Sequence, residues 1–282
     1  MTLPDLQPPL RAPILVAAFE GWNDAGDAAT DAVEHLAEVW GATEAWALDP
    51  DEYYDFQVNR PTVALEDGTT RRISWPTTRF LAARLPDAER DLVLVRGVEP
   101  NMRWRGFCEE VLRAAGALGV SEIVTLGALL ADTPHTRPVP VSGTSSHPGL
   151  AAQLGLEHSR YEGPTGIVGV LQDACERAHV PAVSFWAAVP HYVHQPPCPK
   201  ATIALLRRVE DLLDVPIPLG DLPEEARAWE RQVDELAAED SDVAEYVASL
   251  EEREPEEDLP EASGEAIAKE FERFLRRQDP ER

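Results

Sequence analysis

From Ile14 to Leu213 the chain alternates short, almost uninterrupted apolar runs with stretches of helical period, and this alternation limits the architecture more than any other feature. The runs Ile14–Phe19, Thr43–Leu48, Asp91–Arg96, Glu122–Leu130 and Val183–Ala187 have the length of strands, and Ile14–Phe19 and Asp91–Arg96 read as buried. Strands of that kind are covered on both sides. Between them, apolar residues recur at helical spacing: Ala29, Val33 and Leu36, then Phe107, Val111, Ala115 and Leu118. Ile167–Ala178 and Ala201–Leu213 read as further helices. Strand–helix–strand repetition of this type builds an α/β fold, a three-layer sheet that is mostly parallel or mixed. Thr62–Glu66 and Thr70–Trp75, joined through Asp67–Gly68, predict an antiparallel hairpin attached to it.

From about Pro218 the pattern changes. Trp229, Val233, Leu236, Val243, Val247 and Leu250 form a near-heptad seam that predicts one long helix. Pro255 and Pro260 end it, Ser263 caps a second helix, and Ile267, Phe271, Phe274 and Leu275 give that helix an apolar stripe. The expected organisation is an α/β core over 1–217 and a small, acidic C-terminal helical hairpin over 218–282.

Charge narrows the function. The net charge is -26, and residues 210–282 hold 25 of the 51 acidic residues but 8 of the 25 Lys and Arg. Such a surface repels nucleic acid. No apolar run is long enough to span a membrane, and the N-terminus has no signal-like pattern, so a cytoplasmic location is expected. Cys108, Cys175 and Cys198 form no C-x-x-C pair, which argues against a disulfide framework.

Loops after strand ends carry the candidate chemistry. Asn23, Asp24 and Gly26 follow the first run, where Asp24 can cap the next helix. Asp24, Asp27 and Asp31 share one side of that helix start, and Asp24 with Asp27 are weak candidates for a divalent cation. The segment Arg96–Trp104 adds Arg96, Glu99, Arg103 and Trp104, and arginine's donor fork suits carboxylate or phosphate. Asp132, His135 and Arg137 follow the fourth run, and Tyr161 opens the Gly163–Gly166 turn. His191 and His194 have a spacing compatible with shared metal ligation alongside His135 and Cys198, but the surrounding prolines weaken that pattern. Gly143–His147 sets hydroxyls beside an imidazole without a G-x-S-x-G elbow. No phosphate loop or dinucleotide fingerprint is present, and no cofactor is expected.

In combination, GWNDAGDAA at 21–29, RGVEPNMRW at 96–104, LGALLADTPHTRPVPVSG at 126–143, YEGPTGIVGVL at 161–171 and WAAVPHYVHQPPCPKAT at 186–202 resemble the bacterial branch of the PAC2 (proteasome assembly chaperone 2) family. The resemblance runs over most of residues 10–215, and the acidic stretch 250–275 is similar to the helical tail of the bacterial proteins. It implies a nucleoside-phosphorylase-like core, a smaller C-terminal helical part and homo-oligomers. It implies no reaction: Asp24, Gly26, Arg96, Glu99, Arg103, Trp104, Asp132, Tyr161, Pro190 and Lys200 match family motifs without a catalytic role.

The leading expectation is a non-enzymatic interaction or assembly-chaperone-like protein, a homo-oligomer with a possible protein partner. The alternative is a hydrolase- or phosphorylase-type enzyme, or a nucleoside- or anion-binding protein, with its cleft at the strand ends. There Asp24 is the candidate base, Arg96 the anion clamp and His191 the proton donor or orienting group.

Overall fold

A computed structural model describes residues 6–86, 88–145, 147–156, 161–193 and 195–252. Its main sheet contains β1 (Ile14–Glu20), β2 (Thr43–Ala47), β5 (Arg79–Ala83), β6 (Leu92–Val98), β7 (Glu122–Ala131), β8 (Val141–Thr144) and β9 (Ala182–Pro190). The spatial order is β2-β5-β6-β1-β7-β9-β8. The four central strands β6, β1, β7 and β9 run parallel. β5 and β8 run antiparallel to their inner neighbours, and β2 runs antiparallel to β5, so the sheet is mixed.

Every side chain from Ile14 to Phe19 is fully buried. Alternation sends Ile14, Val16 and Ala18 to one face and Leu15, Ala17 and Phe19 to the other. The first face is covered by α1 (Ala28–Val39) and α5 (Pro199–Leu213). The second is covered by α2 (Trp104–Ala117) and α4 (Ile167–Arg177), where Phe19 meets Phe107 edge-on at 5.6 Å. These are the three layers that the alternation predicts.

Two strands escape the apolar-run reading, β8 at one edge of the sheet and β5 one place in from the other. β5 lies between prolines, and β8 falls in the Gly/Ser/Pro-rich segment read as a loop, ahead of α3 (Pro148–Leu154). β8 pairs there because Gly143 lets it approach closely: a Cβ on Gly143 would stand 2.7 Å from Leu156 and 3.0 Å from Phe185. The expected hairpin is present as β3 (Thr62–Glu66) and β4 (Thr70–Ser74), paired from Thr62–Ser74 to Glu66–Thr70. Asp67 and Gly68 turn the chain at positive φ, 52° and 72°. The hairpin forms its own two-stranded sheet, and every residue of both strands is exposed.

The single long helix expected through Leu250 is two helices, α6 (Leu222–Glu239) and α7 (Ser241–Glu252). Asp240 breaks it with an extended backbone, and its carboxylate accepts from the amides of Asp242 (2.9 Å) and Val243 (3.3 Å). A short side chain that satisfies the free amides of a new helix favours a cap over continuation. Trp229, Val233, Val247 and Leu250 are buried, whereas Leu236 is exposed. Trp229 and Val233 join the core beneath α1 and α5, so this part of the seam packs within the chain. The second helix expected around Ile267–Leu275, with its Ser263 cap and the breakers Pro255 and Pro260, lies outside the described residues.

Gly97 shows how tightly the strand ends are packed. A Cβ there would stand 2.6 Å from the Thr78 hydroxyl, 2.7 Å from Thr78 Cα and 2.9 Å from the Thr77 carbonyl. Two of these neighbours are backbone and have no rotamer to change. Gly97→Ala should destabilise the protein by roughly 1–3 kcal/mol through overpacking, measured as a lowered denaturation midpoint with an unchanged m-value.

Candidate functional site

The parallel strands end on one side of the sheet, and their register brings the expected loops together there. Glu20 stands beside Val98, and Ala131 beside Pro190. The candidate residues separate into three groups.

In the first group, after Gly21 turns at φ +116, the 3-10 turn Ala25–Asp27 leads into α1. Asp24 is 4% exposed, and its carboxylate accepts from the amide of Ala29 (2.7 Å), from the amide of Thr30 and from the Thr30 hydroxyl. Its expected role as a cap is therefore met on buried atoms. Beside it, Asn23 Nδ2 donates to Glu99 Oε1 (2.8 Å), and the same oxygen accepts from the Ile167 amide (2.7 Å). One carboxylate thus ties the loops after β1 and β6 to the start of α4, where a negative charge is favourable. Gly26, at φ +62, comes so close to α5 that a Cβ would lie 2.7 Å from that of Cys198.

The second group lines a cleft of about 470 Å³ bounded by Glu20, Gly21, Asp27, Thr30, Asp31, Asn59, Arg96 and Val98. Arg96 pairs with Glu34 and lies 3.5 Å from Glu20. Its charge is compensated before any anion arrives. Asp24 does not line this cleft; Asp27 and Asp31 do. Asp31 has its pKa raised to about 6 by burial and then by Asp27, against the pull of Arg96. Among the described residues no group of three or more His, Cys, Asp and Glu side chains is arranged to hold a metal ion, so the Asp24–Asp27 pair gains no further ligand.

The third group lies where α6 and α7 cover the ends of β7 and β9. His135 is 2% exposed, with Nδ1 2.8 Å from the Tyr192 hydroxyl and Nε2 2.9 Å from Asp234. Lys200 donates to the His135 carbonyl and to Glu230 (2.8 Å), and Arg137 donates to the Glu251 carbonyl. His191 stands 3.3 Å from Asp132 without hydrogen-bond geometry and edge-on to Tyr246 at 5.1 Å. His194 lies outside the described residues, and Cys198 is buried with its thiol pKa pushed up to about 11. Polar pairs of this kind fasten the helical part to the body. Tyr192, Asp234 and Glu230 escaped the sequence reading because no local spacing links partners so far apart in the chain.

Arg103, Trp104 and Tyr161 belong to none of these groups. Arg103 pairs with Glu52 and lies over the Tyr53 ring at 5.9 Å. Trp104 donates from its indole to the Pro100 carbonyl (2.5 Å), and the Tyr161 hydroxyl donates to the Pro164 carbonyl (2.8 Å).

Burial raises the Asp24 pKa to about 6, with the Thr30 and Ala29 hydrogen bonds opposing the rise. An acid whose folded pKa exceeds its unfolded value near 3.8 binds protons more tightly in the native state. Its contribution is full below that lower value and is lost as pH rises through about 6. The stability difference between Asp24→Asn and wild type should therefore move in favour of the variant between about pH 4 and pH 6, read by urea denaturation at each pH. Asp24→Ala should be less stable than Asp24→Asn by about 1–2 kcal/mol at every pH, because Ala also removes the cap.

The family model for the PAC2 family matches residues 18–237. Among solved structures, a PAC2 family protein from Streptomyces avermitilis is 65% identical, with a TM-score of 0.79, over 83% of this chain and 99% of that one. A Mycobacterium tuberculosis protein described as a proteasome-assembly chaperone homologue is 62% identical, with a TM-score of 0.76, over the same shares. The Pyrococcus furiosus protein PbaA, an archaeal homologue of proteasome-assembly chaperone, shares the fold at 16% identity and a TM-score of 0.58, over 87% of this chain and 96% of its own. No curated protein matches the chain. With its family model spanning most of the sequence and two bacterial relatives above 60% identity, this chain belongs to the PAC2 family.

Proposed function

We propose that the protein is a non-enzymatic, assembly-chaperone-like interaction protein that works in the cytoplasm as a homo-oligomer and binds a protein partner. The observation that carries this reading is how the polar groups at the strand ends are used. Asp24 caps α1, Glu99 ties two loops to α4, and His135 and Lys200 fasten α6. Groups held this way shape a surface and are not free to exchange protons with a substrate. The similarity to a proteasome-assembly chaperone homologue supports the same reading. The nucleoside-phosphorylase-like core implied by the sequence resemblance enters it as a scaffold without the reaction.

A second reading is favoured by the cleft around Asp31 and Arg96. Its excess of carboxylates suits a cationic or neutral small molecule better than phosphate.

The test uses purified proteasome α and β subunits from the same cell, mixed with the full chain and followed by native mass spectrometry. The expected result is a complex with α subunits that precedes β-subunit entry and speeds particle formation. Absence of any complex, with unchanged assembly kinetics, would sink the proposal. Calorimetric heat with a nucleoside or a polyamine would move weight to the second reading.

A further inference from the structure

Seven large hydrophobic side chains are exposed among the described residues, and five of them lie in one segment: Val58, Val63, Leu65, Ile73 and Trp75. A sixth, Met102, is tied to that segment, because Asn101 accepts from the Asp55 amide and from Asn59, both at 2.9 Å. Clustering of this kind marks an interaction surface, whereas single exposed apolar residues do not.

Alternation along β3 and β4 sorts the hairpin into two faces. Register pairs Val63 with Ile73 and Leu65 with Arg71, so one face holds three apolar side chains and one arginine. The opposite face holds Thr62, Ala64, Glu66, Thr70, Arg72 and Ser74, and there Arg72 pairs with Glu66. Arg71 forms no ion pair among the described residues. Residues 60–75 carry Arg60, Arg71 and Arg72 against Glu66 and Asp67, a balance of +1 in a chain of -26. The segment is therefore opposite in sign to most of the surface that another copy would present. The cleft with Glu20, Asp27 and Asp31 supplies the complementary charge, since its single arginine is already held by Glu34 and Glu20.

We propose that the apolar face of β3–β4 docks on a second copy of this chain, with Val63, Leu65 and Ile73 on the rim of the neighbour's cleft and Arg71 reaching its carboxylates. This rests on the homo-oligomer reading above and assigns its contact. Asn59 of the cleft lies three residues from the start of β3, so the contact suits a reciprocal two-fold pair as well as a head-to-tail ring. A cationic anchor set in an apolar face has the composition of an interface core, and its charge contact weakens with salt.

Sedimentation velocity on the full chain reads the assembly directly. Wild type should sediment as an oligomer. Arg71→Glu and Asp31→Arg should each weaken self-association by about a hundredfold, and the double variant should restore it. Leu65→Asp should also dissociate the assembly, with little response to salt. Because the hairpin is exposed, its variants should keep the wild-type circular dichroism spectrum and melting temperature. Oligomers of unchanged mass in Arg71→Glu and Leu65→Asp would overturn the hairpin contact and leave the homo-oligomer reading standing. Dissociation by both single charge variants without rescue in the double would overturn the assignment of the cleft. A monomeric wild type at all concentrations would overturn both. A failed proteasome-subunit assay with sedimentation as expected would remove only the chaperone-like reading.

Discussion

Burial of β1 on both faces is the constraint from which the remaining structure follows. A strand with no exposed side chain needs apolar partners above and below, and in a parallel sheet the crossover helices supply them. Those crossovers return each chain segment to the same end of the sheet before the next strand begins. The loops after β1, β6, β7 and β9 are thereby gathered at one edge, although they are far apart in sequence. The grouping of Asn23, Glu99 and the start of α4 is a product of that topology.

The legible and illegible parts of the fold divide along physical lines. Ile14–Glu20, Leu92–Val98 and Glu122–Ala131 were readable because a strand covered on both sides must be apolar throughout. Edge strands carry weaker demands: β8 contributes Val141–Thr144, and its fit depends on what Gly143 lacks. Asp240 misled the periodicity argument for a different reason. An apolar stripe continues across a capped break, because both helices turn the same kind of face inward, and the signal lay in the cap residue. At the site, the cap at Asp24 was local and therefore readable. The pairings His135–Asp234 and Lys200–Glu230 depend on where α6 lies, which no spacing within either segment encodes.

Charge is organised at two scales. Over the whole chain the excess of acids keeps the surface strongly negative. Locally, Arg96, Lys200 and Arg11 each serve a defined set of oxygens. Asp91 shows the local scale clearly: burial alone would raise its pKa, yet hydrogen bonds from Arg11 and Leu85 hold it below the usual carboxylate value. Asp24 and Asp31 lie on the other side of that balance, where burial outweighs the compensating bonds.

The Glu99 tie has a consequence for recognition. Its carboxylate accepts from the Asn23 side chain and from the Ile167 amide, while its own backbone amide donates to the Glu20 carbonyl, so one residue holds three stretches of chain together. A surface held in this way has little freedom left to lose. Little conformational entropy is then lost on contact, and complementarity of shape translates more fully into affinity. Selectivity follows from the same rigidity, since a mismatched partner finds no compliant loop to accommodate it.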